Sequence, residues 1–169
     1  MIILGVDPGL DATGYGVIEV KGQGHDPVLI EAGLIRTQAG GSLAQRLMKI
    51  AQGVQTVLSQ HRPDCISVED LYSHYKTPEP AILMGHVRGV VLSTAAGAGV
   101  PVVSYLPTRV KKAVVGRGHA SKEQVARMVQ MRLGLKEGRV SPDVSDALAA
   151  ALCHVSQTRA ARVEVGSAG

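Results

Sequence analysis

Two short, mostly apolar runs in this chain each stop on a carboxylate. Ile2–Val6 ends at Asp7, and Cys65–Val68 ends at Glu69. Runs this short are the length of strands buried on both faces rather than of helices. A charge closing such a strand is costly unless it is paired or bound to metal. The pair of runs therefore demands a sheet with two buried strands that carry their acids at the carboxyl end. Sites of α/β sheets gather at that edge.

The rest of the pattern builds around these strands. A strand is predicted over residues 2–6, a second over 14–20 after the turns at Pro8-Gly9 and Gly14, and a third over 28–36. Gly40-Gly41-Ser42 opens a helix carrying Leu43, Leu47, Ile50 and Val54 at helical spacing, closed by His61-Arg62-Pro63-Asp64. The fourth strand is 65–69 and an exposed loop is expected over 70–80. Further helices are expected at 81–98, 108–114, 121–133 and 142–160, with a fifth strand at 101–105. Ser121 with Gln124 suits a capping box. Three early strands with short connections, followed by strands alternating with helices, predict an α/β fold with a mixed sheet. The early meander is antiparallel, and the later strands run parallel to the first. No linker divides the chain, so one domain is expected over 1–158, with 159–169 a flexible tail.

Composition bears on the core and on the partner. There is no Trp or Phe and there are four Tyr, so the core is aliphatic and an exposed Tyr is notable. Residues 107–139 hold nine Lys or Arg against Glu123 and Glu137, while the remainder holds nine against twelve acids. One basic segment on a slightly acidic body points to a polyanionic partner, although a solvated basic helix has the same composition. Cys65 and Cys153 lack metal-ligand spacing and read as buried thiols of a reducing compartment. The opening MIILGVDPG lacks a basic leader, and the apolar region 81–106 is broken by His86, Arg88 and Pro101. A soluble, cytoplasmic protein with no membrane partner is expected.

Asp143 and Asp146 stand three apart at the head of an alanine-rich helix. That spacing places them on one face, with Cβ atoms roughly 5–6 Å apart. Singly, each acid has a plain explanation. Asp7 suits a turn, Glu69 stands beside Asp70, and Asp143 suits a first helical turn capped by Ser141. Jointly, Asp7, Glu69, Asp143 and Asp146 form a set of hard oxygen donors from separate segments, as Mg²⁺ or Mn²⁺ prefers. Metal-assisted phosphodiester chemistry is the expectation.

Gly5, Gly9, Gly14 and Gly16 do not form a GxGxxG fingerprint, and no P-loop occurs. The strand–Asp–Gly–turn–strand opening also begins the actin-like kinases, which are much longer and need a second lobe. His74 and His119 read as surface histidines, and His154 as facing the core edge. Gly85, Gly89, Ser93 and Gly97 recur every fourth residue. This ridge either packs on the chain's own sheet or makes a helix–helix dimer contact.

GVDPGLDATGYGV, the VED strand end, TRVKKAVVGRGHASKEQV and SPDVSDALAAALCH occur in this order. Together they resemble the RuvC family of bacterial Holliday-junction resolvases, of the RNase H-like superfamily, over the chain up to about residue 158. The resemblance implies an RNase H-like five-stranded mixed sheet flanked by helices. It implies a metal-dependent endodeoxyribonuclease that nicks four-way junctions symmetrically, leaving 5′-phosphate and 3′-hydroxyl ends. Asp7, Glu69, Asp143 and Asp146 would then be the catalytic metal ligands, holding two Mg²⁺ or Mn²⁺ ions. Lys111 and Lys122 would contact phosphates near the site, with Tyr72, Lys76, Lys112 and Arg117 as further DNA contacts. Tyr72 stands where the family usually carries a stacking phenylalanine, and the loop after it departs from the commoner form. A homodimer and the branch-migration motor proteins RuvA and RuvB are the implied protein partners. A member that binds branched DNA without cutting it is the other reading.

Overall fold

The computed structural model describes residues 1–22, 25–70, 78–136 and 140–166. The strands are β1 (Ile2–Asp7), β2 (Ala12–Glu19), β3 (Val28–Arg36), β4 (Cys65–Glu69) and β5 (Val102–Tyr105). The helices are α1 (Leu43–His61), α2 (Pro78–Gly97), α3 (Pro107–Val115), α4 (Lys122–Arg132) and α5 (Pro142–Gly166). The sheet order is β3-β2-β1-β4-β5. β1 pairs antiparallel with β2 and β2 with β3, while β4 runs parallel to β1 and β5 parallel to β4. The mixed sheet expected from the pattern is present, with its antiparallel meander on one side.

Strand alternation sorts the side chains onto two faces. Leu4, Val6, Val17 and Ile66 join Ile50, Val54, Val87 and Val91 in a core under α1 and α2. Ile3, Ile18 and Cys65 face the other way, into a core with α3, α4 and α5. Continuing those second rows along β1 and β4 places Asp7 and Glu69 on the α5 face. The parity of two short strands thus decides which helix the acids meet.

α2 begins at Pro78, inside the stretch expected to be loop. Proline costs nothing in a first turn, where no N–H partner is needed, so Pro78 and Pro80 are compatible with the helix start. α5 runs to Gly166 rather than ending near 160. Among the described residues, no helix is long and apolar enough to cross a membrane.

Candidate active site

α5 lies almost directly on the sheet because the strands below it have little to push back with. A Cβ on Gly5 would fall 2.0 Å from the Ala147 carbonyl oxygen, and one on Gly14 would fall 2.2 Å from that of Asp143. At Gly16 it would strike the Leu148 side chain at 2.3 Å. Ser67 Oγ donates to the Ala150 carbonyl at 2.6 Å. The helix answers with small residues: Ala147, Ala149, Ala150 and Ala151 are fully buried. Three of the four glycines that match no nucleotide-binding fingerprint therefore form the floor for this helix. Gly14 is also the cross-strand partner of Asp7, so the helix head carrying Asp143 is seated beside the β1 carboxylate.

The electrostatics show the four acids acting on one another. Burial, then the charges of Asp146, Asp143 and Glu69, push the Asp7 carboxyl up to about 7, against a weaker opposing pull from Lys122. Burial and Asp146 raise Glu69, with Lys122 and Lys111 opposing. Glu69, Asp146, Lys111 and Lys122 line one small recess of about 50 Å³. Lys122 Nζ donates to Asp146 Oδ2 at 3.0 Å. The α4 capping box, with Ser121 and Gln124 bonded reciprocally, sets Lys122 at the helix start from which it reaches that acid. Its side chain is 77% exposed, so the pair adds little stability and remains available to a phosphate.

All four donors are hard carboxylate oxygens, and their crowding with burial is the arrangement that a divalent cation relieves. The residues present fit such an ion. As they stand, no three donors among the described residues close tightly enough to hold one, and Asp146 is turned to Lys122.

A residue the sequence reading passed over supports this edge of the sheet. Arg88 of α2 donates to the Glu69 carbonyl at 2.8 Å and to Ser104 Oγ at 2.6 Å, and pairs with Asp70 at 3.0 Å. It clamps the ends of β4 and β5 from the opposite face. In the sequence it figured only as a charge interrupting an apolar stretch. An Arg in the middle of a mostly apolar helix was the available signal that an anion or a set of carbonyls lies beneath it.

Of the other expected contacts, Lys111 stands at the acid recess. Lys112 lies in a separate cleft with Thr108, Arg109 and Gln157, and is not brought to the acids. Arg117 and His119 are exposed beyond α3. Tyr72, His74 and Lys76 lie outside the described residues. His154 faces the core edge, with Nδ1 2.7 Å from the Tyr105 hydroxyl, and burial lowers its pKa.

The raised Asp7 pKa has a signed consequence. A folded value near 7 against 3.8 for the free group means the fold binds the proton more tightly than the unfolded chain. This stability is complete below about 4 and is lost as pH rises through 7, at about 1.4 kcal/mol per unit. In metal-free buffer, Asp7→Asn is therefore expected to melt above wild type at pH 8, with the difference shrinking to nothing near pH 4. Parallel thermal melts with EDTA check this. A difference that does not vary with pH contradicts it.

Comparison with known proteins bears on this geometry. The family model described as Crossover junction endodeoxyribonuclease RuvC matches residues 3–154. The chain belongs to the RuvC family. The RuvC of Rhodopirellula baltica is 47% identical over 151 residues, covering 89% of this chain and 84% of that one. The Thermus thermophilus RuvC structure in complex with Holliday junction substrate is 39% identical, with a TM-score of 0.88, covering 95% and 96% of the two chains. Yeast mitochondrial Holliday junction resolvase Ydc2 is 15% identical at TM-score 0.63, over 93% of this chain and 77% of its own, and shares the fold alone. The RNase H-like architecture expected from the sequence is thereby shown. RuvC proteins are metal-dependent endodeoxyribonucleases, in keeping with an acid cluster at the carboxyl ends of β1 and β4.

Proposed function

We propose that this chain is a structure-selective endonuclease that resolves four-way DNA junctions by paired symmetric nicks, with Asp7, Glu69, Asp143 and Asp146 holding two Mg²⁺ or Mn²⁺ ions. The observation that carries the reading is the gathering of these acids, from β1, β4 and α5, beside Lys111 and Lys122 at one sheet edge. When bound, divalent ions supply charge neutralisation and an acidified water for phosphodiester hydrolysis. The protein holds that chemistry in place. β1 and β4 present two acids at fixed strand ends, and the glycine floor sets the height of the other two. Arg88 fixes the Glu69 backbone. Lys122 and Lys111 draw a backbone phosphate to the recess. Incubation with a synthetic four-way junction and Mg²⁺ or Mn²⁺, against a linear duplex, tests the proposal. Symmetric nicks on the junction alone, leaving 5′-phosphates, support it. Tight binding without nicks supports the non-cutting reading instead.

Phosphate contacts release counterions, so affinity should fall steeply with salt. Lys111→Ala and Lys122→Ala are each expected to reduce the log–log salt slope of junction binding by about 0.9. An unchanged slope in both variants would make this segment a solvated face. Tyr72 and Lys76 remain proposed DNA contacts on sequence grounds, Tyr72 by stacking, which is worth roughly 1–3 kcal/mol per base.

Paired nicks need two sites, and α2 offers a surface for a symmetric pair. Its inner face buries Val87, Val91 and Ala95. A Cβ on Gly85, Gly89 or Gly97 meets no described atom within 4 Å, and Ile82 and Leu92 are 56% and 38% exposed beside them. The ridge is therefore turned away from the chain's own sheet. Gly85→Leu with Gly89→Leu is expected to keep the melting temperature and abolish the dimer in sedimentation. A folded variant that still dimerises removes the ridge from the interface. The buried free thiols Cys65 and Cys153 are consistent with work in the cytoplasm. Delivery of the junction by the branch-migration motors RuvA and RuvB belongs to the same reading and rests on family membership alone.

A further inference from the structure

A second cationic cleft lies at the same end of the sheet, on the side away from α3 and α4. It has a volume of about 440 Å³ and is lined by Arg36, Thr37, Gln38, Gln45, Arg46 and Lys49. These residues come from the end of β3 and the first turns of α1. The cleft is tied to the turn that follows Asp7. Thr37 N donates to the Asp11 carbonyl at 3.1 Å, and Thr37 Oγ1 donates to the Leu10 carbonyl at 2.7 Å. Arg46 bonds both Thr37 Oγ1 and the Asp11 carboxylate. One wall of the cleft is therefore braced against the turn that leaves the catalytic strand.

Its position follows from the register. Asp7 pairs with Gly14, Gly14 with Leu34, and Ala12 with Arg36. Arg36 is two strands across from Asp7, roughly 10 Å sideways at the usual strand spacing, and two residues, about 7 Å, further along. That is on the order of three nucleotide steps along one DNA strand. The charge of the cleft is not consumed internally. Arg46 is matched by Asp11, but Arg36 and Lys49 are exposed and have no carboxylate partner among the described residues. Gln38 and Gln45 add neutral hydrogen-bonding groups beside them.

We propose that this cleft is a second phosphate-backbone subsite, which holds the DNA arm running from the acid recess over the β1–β2 turn. Together with Lys111 and Lys122 it would grip the substrate on both sides of the catalytic edge. The proposal rests on the junction-nuclease reading and adds to it where the DNA goes. A solvated basic face is the alternative.

The test uses Arg36→Ala with Lys49→Ala, leaving Arg46 in place because it braces the turn. Both altered side chains are exposed, so melting should not change. The salt slope of junction binding should fall by about 1.8, at about 0.9 per lost phosphate contact. Hydroxyl-radical protection should disappear from one arm segment only. Arg36→Lys with Lys49→Arg should restore the slope and the footprint. A photocrosslinker on Lys49→Cys gives an independent reading and should label the same arm. Wild type that binds and nicks the junction, with a double variant matching it in slope and footprint, overturns the cleft alone. Wild type that neither binds nor nicks the junction overturns the functional reading as well.

Discussion

Asp7→Asn, Glu69→Gln, Asp143→Asn and Asp146→Asn are each expected to reduce junction nicking by more than about 100-fold. Loss of an outer partner of a metal site already costs about 10–100-fold, and a direct ligand should cost more. Junction binding should remain within a few-fold of wild type, because affinity comes mainly from phosphate contacts. It should even tighten at low metal, since each substitution removes a negative charge from the DNA face. Side-by-side nicking assays and binding isotherms separate the two effects. A variant that nicks at nearly the wild-type rate would take its residue out of the site.

The second large effect is expected from a residue that carries no chemistry. Gly14→Ala should cut nicking by about 100-fold or more and also lower stability. The new methyl carbon would lie 2.2 Å from the Asp143 carbonyl oxygen, 2.4 Å from its carbonyl carbon and 3.0 Å from its Cβ. No flexible side chain can yield there, so the α5 backbone must lift. Overpacking of this kind costs typically 1–3 kcal/mol. A displacement of about 1 Å at the reacting centre costs on the order of 10²-fold. Gly22→Ala is the control, because its Cβ would meet only the flexible His25 ring, at 3.3 Å. Melting curves and single-turnover rates should stay near wild type for Gly22→Ala, and only Gly14→Ala should lose both stability and rate. Wild-type nicking by a folded Gly14→Ala would show that the height of α5 does not set the site.

Much of this protein is determined locally. The apolar runs ending at Asp7 and Glu69, the helical spacing from Leu43 to Val54 and the capping box at Ser121 each specify their own element, because strand burial and helix capping depend on near neighbours. Asp7 and Glu69 could be recognised as candidates because a charge at the end of a buried strand is conspicuous in any order of elements, and Asp143 with Asp146 because their spacing puts both on one face of a helix head. The family pattern then supplied the set as a whole. The early start of α2 was harder to see, since Pro78 and Pro80 read equally as loop or as first turn.

What only the tertiary structure decided are the contacts between segments far apart in the chain. Gly5, Gly14 and Gly16 match no nucleotide-loop fingerprint, and their role is not visible until α5 is laid across them. Arg88 looks like an interruption until its guanidinium is found on the Glu69 carbonyl, 19 residues away. The small-residue ridge of α2 could face in or out, and the burial of Val87, Val91 and Ala95 turns it outward. The cleft at Arg36, Arg46 and Lys49 has no pattern of its own, because its cations come from a strand end and a helix, and only the fold brings them together at the end of the sheet where Asp7 lies. Periodicity reports which face of an element is buried. It carries no information on what lies against that face, and in this protein the height of α5 and the course of the substrate depend on that.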